Sequence, residues 1–131
     1  MPFILAVDYD NTLFHGSYPV KGPPKPKVIK KVKEFKKYGA KVILWTCRSR
    51  GRVLIEAIHR CREAGLRFDA INDNVPSQKR YMESQRKKGN IFALRKVFAD
   101  FYLDDSANNV NIFLRMNAKE ICRNFANKKR I

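Results

Sequence analysis

Short apolar runs alternate along the chain with longer segments whose apolar residues recur every three or four positions. Residues 3–7 form a continuous apolar run that ends at an acid, which is typical of a central strand covered on both faces. Residues 27–38 place their apolar side chains on one helical face and lysines over most of the remainder, and Gly39 ends that helix. The first fifty residues therefore begin with a strand, a polar loop and a helix.

The same patterns continue to the end of the chain. They predict strands at residues 41–45, 68–71, 98–103 and 111–114, and helices at 51–64, 77–88 and 118–127. Strands that alternate with helices indicate βαβ units, so we predict an α/β fold with a doubly wound, mostly parallel sheet. With 131 residues, residues 1–131 are predicted to form one domain. Ligands bind such sheets beyond the carboxyl ends of the strands.

Charge and cysteine content narrow the range of partners. The chain has 28 Lys and Arg against 12 Asp and Glu, a net charge of +16, which attracts nucleic acid or another phosphorylated partner. A host with a basic proteome would explain the same excess. Three cysteines without CxxC spacing favour neither a disulfide framework nor a zinc site, and they fit a reducing cytoplasm. The apolar N-terminal run is too short to span a membrane, and no pattern indicates an oligomeric state.

Acidic residues follow two of the predicted strands. Asp8 and Asp10 come after the first strand, and Asp104 and Asp105 come after the strand at 98–103. Crowded carboxylates repel each other unless a cation neutralises them, and oxygen ligands without His or Cys favour Mg²⁺. The alternative is that each acid caps a turn or a helix, which explains one pair more readily than two.

Four segments in order along the chain resemble the motifs of the haloacid dehalogenase superfamily of phosphohydrolases. DYDNTL at residues 8–13 resembles the DxDxT signature, and VILWT at 42–46 resembles the second motif. Lys96 resembles the lysine of the third motif, and Asp104–Asp105 after FYL resembles the fourth. Only residues 14–26 separate the first strand from the first helix, so the chain resembles a small member without a cap domain. A more distant resemblance is to the phosphatase domains of polynucleotide kinase–phosphatases.

This resemblance implies a mechanism and a metal site. Asp8 would be the nucleophile that forms an aspartyl-phosphate, and Asp10 would be the general acid and base. Mg²⁺ would bind the Asp8 carboxylate, the Asp10 main-chain carbonyl and Asp104. Asp105 would bind it directly or through water.

The resemblance also implies a phosphate-binding set. Thr46 would donate a hydrogen bond to a phosphoryl oxygen, and Lys96 would neutralise charge on the phosphate. Arg48 could reach the substrate with its planar fork. Three alternatives stay open: Thr46 as a helix cap, Arg48 as a solvated arginine, and Lys79 or Arg80 in place of Lys96.

The predicted function is Mg²⁺-dependent hydrolysis of a phosphomonoester, with a nucleotide or a nucleic-acid end as the substrate. The alternative is a non-catalytic module of the same fold that binds nucleic acid through its lysine-rich faces, mainly by phosphate contacts. A response-regulator receiver domain is a remote third option, because the order of its acidic residues fits this chain poorly.

Overall fold

A computed structural model describes residues 1–90 and 97–128 as an α/β protein built on a parallel sheet. In the described residues the sheet has four strands in the order β3-β2-β1-β4, and every pair is parallel. The strands are β1 (Ile4–Val7), β2 (Lys41–Leu44), β3 (Ala70–Ile71) and β4 (Phe101–Leu103). The predicted α/β class and doubly wound parallel sheet are confirmed.

Amphipathic helices connect these strands and close the chain. They are α1 (Pro26–Lys37), α2 (Gly51–Glu63), α3 (Pro76–Lys87), α4 (Val110–Arg115) and α5 (Ala118–Ala126). Gly39 follows the end of α1 with a φ of +99°, a left-handed conformation that glycine adopts without steric cost. Within residues 1–90 and 97–128, no helix combines the length and the hydrophobicity that crossing a bilayer requires.

The two faces of the sheet bury different side chains. On one face, Val7 and Leu44 pack with apolar residues of α1, α2, α4 and α5, including the fully buried Phe35. On the other face, Ala6 and Ile43 pack with Val75, which immediately precedes α3. Both faces of β1 and β2 are covered, so their residues are apolar and buried, apart from Lys41 at the exposed start of β2.

The chain reverses its direction across the sheet at β1. It runs outward from β1 to β2 and β3, and then returns to place β4 on the other side of β1. Ligands of doubly wound proteins bind at such a reversal, beyond the carboxyl ends of the strands. Here the reversal lies between the carboxyl ends of β1 and β4, the strands that the two acidic pairs follow.

The prediction of a strand at residues 111–114 is wrong, because this segment lies in α4. A short apolar run has no period of its own that separates a strand from a helix. The fold decides, because a helix turns Phe113 into the core, where its ring centroid lies 5.2 Å from that of Phe35. The predicted strand at 98–103 is also shorter, since the Phe98 N–H donates to the Asn74 side chain instead of a neighbouring strand.

Candidate active site

Strand register places Asp8 between residues 45 and 104 at the carboxyl edge of the sheet. The Trp45 N–H donates to the Val7 carbonyl at 2.9 Å, and the Asp8 N–H donates to the Leu103 carbonyl at 2.9 Å. Parallel neighbours lie about 4.8 Å apart, so the residues that follow β2, β1 and β4 form one row. The sheet thus brings Asp8 and Asp104 together from distant parts of the sequence, as the strand predictions implied.

The Asp8 carboxyl has the largest pKa shift among the acids at this edge. Its pKa is raised from 3.8 to about 6. Burial is the largest cause, and the negative charges of Asp104 and, more weakly, Asp10 add to it. Hydrogen bonds from the Tyr9 N–H and the Thr12 hydroxyl oppose the rise. Asp8 and Asp104 therefore gather negative charge at the carboxyl ends of β1 and β4.

Thr12 connects the two acidic segments. Its side chain is fully buried, and its hydroxyl oxygen accepts the Asp105 N–H at 3.0 Å while the hydroxyl bonds the Asp8 carboxylate. The sequence placed Thr12 in a motif without assigning it a role. A buried hydroxyl that joins the ends of β1 and β4 is a positioning group for Asp8.

Asp104 and Asp105 have different surroundings. One Asp104 carboxylate oxygen accepts the Ser106 N–H at 2.9 Å and caps the single 3₁₀ turn Asp105–Ala107. Asp104 is therefore a turn cap and a neighbour of Asp8 at once, so the two sequence interpretations are compatible for this residue. Asp105 is exposed, and its main chain is held by the Thr12 hydroxyl, which accepts its N–H, and by the Asn108 N–H, which donates to its carbonyl.

Arg48 is buried and pairs with Asp10, so the alternative of a solvated arginine is wrong. Its Nη2 lies 2.7 Å from Asp10 Oδ1 and its Nε lies 3.0 Å from Oδ2, which is a two-pronged contact. Arg48 is 6% exposed, and its hydrogen bond to Asp10 raises the arginine pKa further above its ordinary value. The guanidinium also lies over the rings of Tyr9 and Tyr18, at 4.9 Å and 5.2 Å from their centroids. The sequence reading did not single out these two tyrosines.

Thr46 begins the turn that presents Arg48. Its hydroxyl oxygen accepts the Arg48 N–H at 3.1 Å, and its own N–H donates to the Asn72 side chain at 2.8 Å. The hydroxyl proton of Thr46 is still available for an acceptor, so the structure leaves the predicted role open. Asn72 Nδ2 is buried without a hydrogen-bond partner in the described part of the chain.

The predicted lysine of the site, Lys96, lies outside the described residues. Of the alternatives, Lys79 pairs with the exposed Asp73 at 2.7 Å. Arg80 lines a cavity of about 550 Å³ beside α3, and the two acidic pairs are not part of its lining. Lys25, which the sequence did not single out, donates from Nζ to the Asn11 main-chain carbonyl. It brings a cation to the segment that carries Asp8 and Asp10.

The loop between β1 and α1 is fastened to α2. Arg60 donates to the Tyr9 hydroxyl at 2.9 Å and to the Gly22 carbonyl, and it lies over the Phe14 ring at 4.4 Å. The Phe14 ring in turn stacks on Tyr9, with 4.9 Å between the centroids. The loop is thus held against the same helix that begins just after Arg48. No sequence pattern distinguishes Arg60 from the surface arginines of this chain.

Comparisons with known proteins support the fold and give no activity. A solved structure of a conserved protein from Bacteroides thetaiotaomicron is similar, with a TM-score of 0.63 and 29% identity over 99% of this chain and 94% of that one. The similarity thus covers almost the whole of both chains. No protein-family model and no curated protein matches the chain.

Proposed function

We propose that this protein is a Mg²⁺-dependent phosphomonoesterase of the haloacid dehalogenase type, with Asp8 as the nucleophile. The observation that carries the proposal is the position of Asp8 at the reversal of the sheet, where burial and the charge of Asp104 raise its pKa to about 6. Carboxylates gathered at a ligand-binding edge favour a cation and a phosphorylated ligand. The resemblance of four segments to the superfamily motifs supports the same reaction.

The side chains at this edge fit Mg²⁺. In the described residues no three His, Cys, Asp or Glu side chains gather closely enough to form a metal cluster. Mg²⁺ needs no such cluster, because proteins commonly hold it with one or two carboxylates, waters and the phosphate of the substrate. Asp8, Asp104 and the Asp10 carbonyl would hold it, and Asp105 would bind it directly or through water. When bound, the cation would offset the repulsion between the carboxylates and the phosphate.

The reaction requires two displacements at phosphorus. In the first, an Asp8 oxygen bonds to phosphorus while the ester bond breaks, and Asp10 gives its proton to the leaving oxygen. In the second, Asp10 takes a proton from water, and that water displaces Asp8 to release inorganic phosphate. Both Asp10 oxygens accept from Arg48, so one of them has to be released before it can meet the leaving oxygen. We therefore expect Arg48 to release one oxygen and to turn that N–H toward the phosphoryl group, which Thr46 and Lys96 would also bind.

Phosphate release from p-nitrophenyl phosphate tests this proposal. Wild-type protein is expected to turn over with Mg²⁺ and to stop in EDTA, and Asp8→Asn is expected to be inactive in both. The matched control is Asp73→Asn, which removes an exposed aspartate that follows β3, two strands away from β1, and is expected to keep its activity. Turnover in Asp8→Asn equal to wild type would exclude Asp8 as the nucleophile.

The charge of the chain favours a nucleotide or a nucleic-acid end as the substrate, and it also supports the alternative of a non-catalytic nucleic-acid-binding module. Exposed lysines line the outer face of α1 at positions 27, 30, 33 and 37. We call them the α1 lysine face. Four such charges would make binding strongly dependent on salt.

Binding of a labelled oligonucleotide at several salt concentrations tests this surface. Replacing the four lysines of the α1 lysine face by glutamine is expected to weaken binding and to flatten its salt dependence. If wild type binds oligonucleotide but hydrolyses no phosphoester, the binding module becomes the better account.

A further inference from the structure

The Tyr18 ring stands at the outer end of a connected set of planar side chains. Arg60 lies over Phe14, Phe14 stacks on Tyr9, and Arg48 lies over both Tyr9 and Tyr18. Tyr9, Phe14 and Arg48 are all buried. Tyr18 is 61% exposed, although the guanidinium of Arg48 covers part of its ring. The set therefore ends in the Tyr18 ring, which has one face open to solvent and the other against the Arg48 guanidinium.

The proposed reaction brings the organic part of the substrate toward this ring. Asp10 must come within hydrogen-bond reach of the leaving oxygen in order to protonate it. Arg48 binds Asp10 at 2.7 Å and lies under Tyr18. In the proposed reaction, the group attached to the leaving oxygen would lie on the Asp10 side of the phosphate, where Arg48 and Tyr18 are found.

Resting on the proposed function, we propose that the exposed face of Tyr18 is a stacking subsite for the nucleobase of the substrate. Bases stack on aromatic side chains whatever their sequence, and each stacked base contributes enough for at least a several-fold change in affinity. The ring is already held by Arg48, so little conformational freedom is lost when a base binds. The net charge of +16 raises the rate at which nucleotides and nucleic-acid ends encounter the protein.

The anchoring of the loop supports a preformed subsite. Lys21 pairs with Glu56 of α2 at 2.8 Å, and Arg60 of α2 holds the Gly22 carbonyl. A side chain at Gly22 would clash, because a Cβ there would lie 2.0 Å from the His15 carbonyl oxygen. The loop is therefore closely packed at Gly22, and the two contacts that hold it to α2 are made by residues within four positions of Tyr18.

The test compares kcat/KM for three phosphoesters in wild type and Tyr18→Ala. The substrates are glycerol phosphate, a nucleoside monophosphate and a short oligonucleotide with a terminal phosphate. We expect the ratio of the nucleotide value to the glycerol phosphate value to fall about ten-fold or more in Tyr18→Ala. Using a ratio removes any general effect that reaches the reaction through Arg48. Tyr18→Phe keeps the ring and is expected to keep the ratio.

Tyr38→Ala is the matched control. Tyr38 is also an exposed tyrosine beside a cation, but it follows α1 at the opposite edge of the sheet. The Tyr38→Ala substitution is expected to leave the ratio of the nucleotide value to the glycerol phosphate value unchanged. A fall with the oligonucleotide alone would assign the subsite to a polymer end, and a fall with both nucleotide substrates would assign it to the terminal base. An unchanged ratio in Tyr18→Ala would overturn the proposal, as would a fall in Trp45→Ala instead.

A binding titration separates this proposal from the proposed reaction. Trp45, the single tryptophan of the chain, follows β2 beside Asp8, so its fluorescence can report nucleotide binding. In the Asp8→Asn background we expect Tyr18→Ala to weaken nucleoside monophosphate binding about ten-fold. If wild type hydrolyses no phosphoester but this loss of affinity is seen, the reaction fails and the subsite stands. Equal affinity with and without the Tyr18 ring would overturn the subsite whatever the activity.

Discussion

Replacing Asp8 by asparagine should stabilise the metal-free protein at neutral pH. Burial and the charge of Asp104 raise the Asp8 pKa from 3.8 to about 6. A carboxyl with such a pKa costs the folded state about 3 kcal/mol when it ionises, relative to the unfolded chain. Asp8 is only partly buried, so screening by solvent reduces the figure to about 1–2 kcal/mol. We therefore expect Asp8→Asn to raise the free energy of unfolding by about 1–2 kcal/mol at pH 7.5 in EDTA.

The gain should depend on pH in a definite direction. Between about pH 4 and pH 6 the folded protein holds a proton on Asp8 that the unfolded chain has lost. The contribution of Asp8 to stability therefore falls as the pH rises through this window. Wild type bears the full cost at pH 7.5 and almost none at pH 4. The advantage of Asp8→Asn should therefore be largest at pH 7.5 and vanish near pH 4.

Urea unfolding followed by circular dichroism measures this difference. The slope of free energy against urea should stay the same while the midpoint rises, and the melting temperature should rise by about 3–8 °C. Asp105→Asn is the matched control, because its carboxylate is exposed and its loss should change stability by less than about 0.5 kcal/mol. A variant no more stable than wild type at pH 7.5, or an equal gain at pH 4, would refute the electrostatic reasoning. Excess Mg²⁺ should narrow the gap, because it stabilises only the folded wild type.

Three further predictions concern the surroundings of the site. Arg48→Met should cost about 2 kcal/mol of stability because it leaves the Asp10 carboxylate unpaired. In urea unfolding, a double-mutant cycle with Asp10→Asn should show a coupling energy above about 1 kcal/mol. Additive effects of the two substitutions would contradict an ion pair that stabilises the fold. Thr12→Val should lower the free energy of unfolding by about 2 kcal/mol and lower kcat, because it removes a fully buried hydroxyl that bonds both acidic segments. Thr12→Ser keeps the hydroxyl and should lose less stability and less activity. Cys47 is exposed, whereas burial raises the pKa of the Cys61 thiol to about 12. A thiol reagent at pH 8 should therefore modify Cys47 rapidly and Cys61 only after unfolding. Rapid labelling of the native Cys47→Ser variant would contradict this prediction.

Hydrophobic patterning predicted much of the architecture and the position of the acids. Apolar segments end at Asp8 and Asp104, and β1, which is buried on both faces, excludes charge until it leaves the core. A parallel sheet then brings those ends to one edge, whatever the details of packing. The α/β class, strands β1 and β2 and the neighbourhood of Asp8 and Asp104 therefore follow from local pattern. The assignment of Asp8 as a nucleophile and of Mg²⁺ as the metal comes from the resemblance and stays a proposal.

Tertiary structure decided the contacts that have no local signal. Arg48 and Asp10 are 38 positions apart, and nothing in the sequence indicates that Arg48 is buried or that Asp10 is its partner. Its guanidinium is buried because the β1–α1 loop folds back and brings Tyr18 over it. Residues 111–114 became a helix for a related reason, since only the helix turns Phe113 onto Phe35. Local pattern determines which residues avoid water, whereas the partner of a buried charge or ring depends on how distant segments pack.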